Sequence, residues 1–136
     1  MQRFTLQVDT DGNNDIINLN PELIEKLRGI QGSGIVSLFV VGSTAALTTV
    51  EYENGLIRHD IPAFLQRLVP DDARYEHEAT WNDDNGHSHI RAALFGPSLT
   101  VPFENGRLMT GEYQQVVLID FDTRPRKRKV ICTIII

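Results

Sequence analysis

The run Gly34–Val41, G-I-V-S-L-F-V-V, constrains the chain most. Only Gly34 and Ser37 interrupt it with non-aliphatic, non-aromatic residues, so it reads as a central strand. A central strand needs neighbours, and the sequence supplies them. Phe4, Leu6 and Val8 alternate with Thr5 and Gln7 as a half-buried strand does. Leu47–Tyr52 continues as a strand after a Gly-Ser-Thr turn. Leu99, Val101 and Phe103 alternate again, and Glu104-Asn105-Gly106-Arg107 carries the Asn-Gly hairpin signal. Gly111–Asp122 and Lys129–Ile136 form two further strands. Ile134-Ile135-Ile136 is too apolar for a free tail, which predicts burial in the core or against another subunit.

Helical spacing is scarcer. Asn20-Pro21-Glu22 reads as a helix start, with Asn20 as cap and Leu23, Ile24, Leu27 and Ile30 as the stripe. Ile61–Leu68 reads as a helix capped by Asp60 and stopped by Pro70. Ile90–Phe95 reads as a third, with Gly96 at its C-terminus. The sum is six or seven strands and two or three short helices. This makes one α+β domain over residues 1–136, with a large, mostly antiparallel sheet or sandwich.

At 136 residues a single domain can bury a substantial core. A net charge of −5 argues against a general nucleic-acid binder. The basic run Arg124–Lys129 has two readings, a solvated turn or a phosphate patch. Cys132 is the only cysteine, so no intrachain disulfide forms. The start, M-Q-R-F-T-L-Q, has no apolar leader and no run approaches a membrane span, so no membrane partner and a cytoplasmic location are expected.

Candidate chemistry gathers in Tyr75–Ser98. It holds His77, His87 and His89, three of the four histidines, with Trp81, Asp83, Asp84 and Arg91. On a strand, His87 and His89 would share a face and one metal; on a helix they point apart. The helical reading of Ile90–Phe95 puts His87 on the preceding loop and His89 in the first turn, which makes His89 the stronger acid/base candidate. His77, His87, His89 and Asp84 are the metal candidates, for magnesium or zinc. Arg91 offers a fork for phosphate, or a salt bridge to a nearby acid. Ser43 and Thr44, at a strand end beside Gly42, read as an anion-facing turn or as plain turn chemistry. Trp81 is open between packing and stacking on a ring.

Ordered motifs then carry a resemblance. G-S-T-A-A-L-T-x-x-E at Gly42–Glu51, R-H-D at Arg58–Asp60, L-V-P-D-D at Leu68–Asp72 and Y-E-H at Tyr75–His77 are four of them. D-D-N-G-H-S-H-I-R-A-A at Asp83–Ala93, G-P-S-L at Gly96–Leu99 and G-x-x-Q at Gly111–Gln114 complete the series. In this order they resemble the YjbQ-like family. The resemblance implies an α+β fold, a homotrimer with sites near subunit boundaries, and a weak thiamin phosphate synthase activity in some members. It implies site positions at Glu51, His77, Asp83, His89, Ser98 and Gln114. Many members carry histidine where this chain has Gly42, so any role of that histidine is lost here.

Three functions follow as expectations. The first is an enzyme that joins a pyrimidine diphosphate to a thiazole phosphate and releases pyrophosphate. In it His89, Glu51 and Asp83 are catalytic, while Ser43, Thr44, Arg91, Ser98 and Gln114 hold substrate and phosphate. The second is a trimer that binds a metal or small phosphorylated metabolite without turnover. The third is a structural protein whose polar stretch lines a subunit interface.

Overall fold

Alternation decides the first strand. Phe4, Leu6, Val8 and Thr10 share one face of β1 (Gln2–Thr10), and burial follows that period of two. The same rule sets Val36, Leu38 and Val40 inward on β3 (Ser33–Val41), and Val130, Cys132 and Ile134 inward on β8 (Arg126–Ile135). With β5 (Ser98–Glu104) and the two-residue β6 (Arg107–Leu108), these strands form one antiparallel sheet in the order β1-β8-β3-β5-β6. The computed structural model describes all 136 residues.

A second antiparallel sheet holds β2 (Asp15–Asn18), β7 (Gln114–Asp120) and β4 (Ala45–Glu51), in the order β2-β7-β4. Val116 and Leu118 of β7 face the first sheet, and α1 (Asn20–Leu27) adds Leu23 and Leu27 to that core. Val117 and Ile119 face the other way. There they meet Ile57 of a π-helical turn (Leu56–Asp60), Leu65 of α2 (Ile61–Leu68) and Ala92 of α4 (Gly86–Phe95). The result is three layers: five-stranded sheet, three-stranded sheet, helices. Covered on both faces, β7 shows a continuous apolar run rather than alternation.

The α+β class stands. The Asn105-Gly106 turn forms as read, with φ of 47° and 79° at its two central residues and Glu104 paired to Arg107. Three details differ. Asn20 does not cap α1; Leu19 holds that position, and Asn20 Oδ1 accepts from the Val116 amide at 2.8 Å, tying the helix to β7. Asp60 makes no capping bond, because the π-helical turn already leads into α2. A fourth helix, α3 (Glu76–Trp81), was not anticipated; six residues are too few to show a helical stripe. Ile134 is buried as expected, while Ile135 and Ile136 are exposed. No helix is long and apolar enough to cross a membrane.

Candidate functional site

The chain leaves the three-stranded sheet at Asp120 and enters the five-stranded sheet at Arg126. Two i, i+2 pairs flank this crossing, Asp120 with Asp122 and Arg126 with Arg128. They meet at the edge between the sheets. Arg128 forks onto Asp120, with Nε to Oδ2 at 2.7 Å and Nη2 to Oδ1 at 2.8 Å. Thr10 Oγ1 donates to Asp120 Oδ2 at 2.6 Å. Asp122 accepts from Thr44 Oγ1 at 2.9 Å, Arg126 Nε at 3.0 Å and Asn85 Nδ2 at 3.2 Å. Both carboxylates are fully buried, which charged groups tolerate only when paired in this way. Burial pushes the Asp122 carboxyl up. The Thr123 amide, Thr44, Asn85 and Arg126 outweigh it and bring the group down to about 2.

This network fixes a histidine. A carboxylate only accepts, so Asn85 must turn its Nδ2 to Asp122. Its Oδ1 then faces His77 Nε2 at 3.1 Å, and that nitrogen carries the proton. The His77 ring lies 4.4 Å, centroid to centroid, from the His89 ring. Burial and the neighbouring His77 hold His89 below the ordinary imidazole value, against the pull of Asp122, Asp83 and the Ser43 carbonyl. The neutral form of His89 is favoured as a result.

His89 also lines a cleft of about 440 Å³, with Gly42, Ser43, Ala45, Phe39, Ala92 and Pro97. Its lining is mostly apolar, with Ser43 and His89 as the polar groups, which suits a flat ring bearing a polar substituent. Ser98 opens β5 opposite Phe39, beside Pro97, at the rim.

Other expected residues do not converge here. His87 and His89 are both in the first turn of α4, where i and i+2 point apart. His87 is 5% exposed, and its Nδ1 has no hydrogen-bond partner. Asp84 accepts from Thr123 Oγ1 at 2.9 Å, and Asp83 and Asp84 both lie within 3.6 Å of Arg124. Arg91 is no phosphate fork. Its Nε and Nη2 donate to the Val69 carbonyl, Nη1 to Asn14 and Nη2 also to Gln66. Thr44 is buried and engaged by Asp122 and Arg128, so it positions rather than binds. Glu51 and Gln114 pair at the far end of β4, about 20 Å from Thr44 at ~3.3 Å per residue, and do not reach the cleft within one chain. Trp81 is 72% exposed, so it does not pack in the core.

The metal set fails the same test. No three His, Cys, Asp or Glu side chains come together in a group that could hold an ion. His77 is turned to Asn85, Asp122 is engaged by four residues, and His87 and Asp84 lie elsewhere. The donors of one chain do not fit magnesium or zinc.

Asp120, Asp122, Asn85 and Arg128 were absent from the sequence-based site. The alternation D-x-D and R-x-R across Asp120–Arg128 was the available signal. Each pair puts two charges on one face of an extended chain, and charges flanking an apolar strand must be paired if they turn inward.

The model of the UPF0047 YjbQ-like family matches residues 4–136. The chain belongs to the YjbQ-like family. A UPF0047 protein of Methanothermobacter thermautotrophicus is 40% identical over 116 residues, 85% of this chain and 77% of that one. Another, of Archaeoglobus fulgidus, is 39% identical over 98 residues, 72% of this chain and 75% of its own. Among solved structures, a hypothetical protein of Aeropyrum pernix superposes with a TM-score of 0.89 at 26% identity, covering 99% of this chain and 98% of that one. An uncharacterised YjbQ/UPF0047 protein of Clostridium acetobutylicum gives 0.84 at 28% identity, covering 97% and 99%. YjbQ-like membership thus extends over the three layers and the crossing that builds the site.

Proposed function

We propose that the His89 cleft binds a small phosphorylated metabolite with a heteroaromatic ring, and that the chain is an enzyme of the thiamin phosphate synthase type. In that reaction the carbon–oxygen bond to a pyrimidine's diphosphate breaks, a bond from that carbon to the thiazole nitrogen forms, and pyrophosphate leaves. The observation that carries this reading is the cleft itself, with a mostly apolar lining for a ring and with Ser43 and His89 as its polar groups. Burial and the neighbouring His77 favour the neutral form of His89. Its free ring nitrogen can take up a proton or return one to the departing diphosphate. His77, oriented through Asn85 by Asp122, positions the His89 ring.

Removing a general acid or base costs typically ~10²–10⁴-fold in rate. Wild-type protein should therefore form thiamin phosphate at least about 100-fold faster than His89→Ala. Equal signals from the two proteins would sink the enzyme reading. A second reading, binding without turnover, is favoured by the missing side chain at Gly42 and the lack of a three-donor metal group. It predicts saturable calorimetric binding of a phosphorylated ring compound that stays chemically unchanged.

The chain is further proposed to work as a homotrimer in the cytoplasm, as the family resemblance implies. Ile35, Phe39, Val41 and Ile135 supply support: they form an exposed apolar band on the outer face of β3 and β8, with Ile136 following Ile135. Light scattering that returned a monomer at micromolar concentration would remove the trimer.

A further inference from the structure

A guanidinium has five N–H donors in a fixed plane. In Arg128 three are engaged: Nε and one Nη2 hydrogen by Asp120, and the other Nη2 hydrogen by Thr44 Oγ1 at 2.7 Å. Nη1 donates to nothing. Arg128 is only 8% exposed, yet Nη1 is not among the sealed, unpartnered atoms, so it keeps an opening. That opening is at Gly42. A β-carbon built on Gly42 would lie 2.7 Å from Arg128 Nη1. Gly42 has φ +140°, and with Ser43 it lines the His89 cleft. Any side chain at position 42 would occupy the space in front of this nitrogen.

We propose that Arg128 Nη1, reached through the gap at Gly42, is an oxyanion subsite of the His89 cleft that takes a phosphate oxygen of a small phosphorylated ligand. The subsite rests on the reading of that cleft as the ligand site. Its base is rigid, because Asp120 and Thr44 hold the guanidinium in one plane and Thr10 and the Asp122 amide hold Asp120. Rigidity lowers the ordering cost of binding. Charge favours a phosphate over a carboxylate. Around this crossing four acids, Asp83, Asp84, Asp120 and Asp122, stand against five basic residues, Arg124, Arg126, Lys127, Arg128 and Lys129, a surplus of one positive charge. A dianion gains more from that surplus than a monoanion does.

The test is a titration of the full-length, isotope-labelled protein with inorganic phosphate, followed by NMR, with acetate as a parallel arm. Phosphate should move the Gly42 and Ser43 amides and the Arg128 guanidinium signals saturably, and acetate should bind at least tenfold more weakly. Gly42→Ala should weaken phosphate binding tenfold or more. Should the positive φ keep that variant from folding, the wild-type shifts decide alone. Unmoved Gly42 and Arg128 signals overturn the subsite, and acetate binding as tight as phosphate overturns its ligand class. Phosphate shifts at Gly42 in a protein that forms no thiamin phosphate keep the subsite and reject the catalytic reading. Product formation with Gly42 unmoved does the reverse.

Discussion

Burial pushes the Asp122 carboxyl up, yet four donors bring it down to about 2 from an ordinary 3.8. A depressed carboxylate stabilises the fold above its unfolded value, and that contribution is lost as pH falls through the folded value. On the order of 2 kcal/mol should therefore disappear between about pH 5 and pH 2. Chemical denaturation at steps across that window should show a shallower slope in Asp122→Asn than in wild type. His87 obeys a different logic. Burial, then Arg91, holds its imidazole below the ordinary value, and its buried Nδ1 lacks a partner. Such an orphan costs about 1–3 kcal/mol. His87→Leu should thus keep or raise the melting temperature near pH 7 and leave ligand binding intact. Wild-type stability should fall as pH drops below about 6.5, where the unfolded histidine takes up its proton first, and His87→Leu should blunt that fall. Residue type pointed to His77 and His89 in the sequence. It ranked His89 above His87 as an acid/base group but put His87 on a loop and kept it among the metal candidates, because which face of α4 each one meets is set by the fold. Residue type could not show that Arg91 is consumed by carbonyls, since its partners Asn14, Gln66 and Val69 come from distant segments.

Helix α4 presents His89 to the cleft while Ala92 packs on the three-stranded sheet. Arg91 sets its placement by binding the Val69 carbonyl that ends α2 and the Asn14 turn before β2. Arg91→Ala removes those donors and leaves a buried carbonyl unpaired. It should destabilise by about 2–4 kcal/mol in urea unfolding, with phosphate affinity per folded molecule unchanged. A large loss of affinity with normal stability would return Arg91 to the binding site. At this scale the sequence was legible wherever a local rule dominates. Alternation located β1 and β5, and Asn105-Gly106 placed the hairpin from β5 to β6. Legibility failed where length or company decides. Glu76–Trp81 is too short for a stripe, the four residues of β2 form only against β7, and the π-helical turn places Pro62 within a longer helical run than its ring suggested.

The middle sheet bears the packing of the whole molecule, since its two faces serve two cores. Leu118→Ala, at its fully buried centre, should cost about 3–5 kcal/mol by thermal or urea unfolding. The outer sheet has one face free, where Phe39 stands 47% exposed opposite Ile131. If the proposed homotrimer uses this face, Phe39→Lys should leave the protomer folded and shift its sedimentation from trimer to monomer; an unchanged trimer would place the contact elsewhere. The sequence could show that this face is apolar, through the unbroken run of β3. It could not show which of the two sheets would carry the bare side. The order of the outer sheet has a consequence for how the protein is made. Strand β8 follows the other seven in sequence, yet it lies between β1 and β3 and pairs with β1 along nine residues. Until it leaves the ribosome, β1 has no neighbour, and the crossing charges Asp120 and Arg128 have not met. Folding of the outer sheet, and with it the assembly of the cleft mouth, must wait for β8.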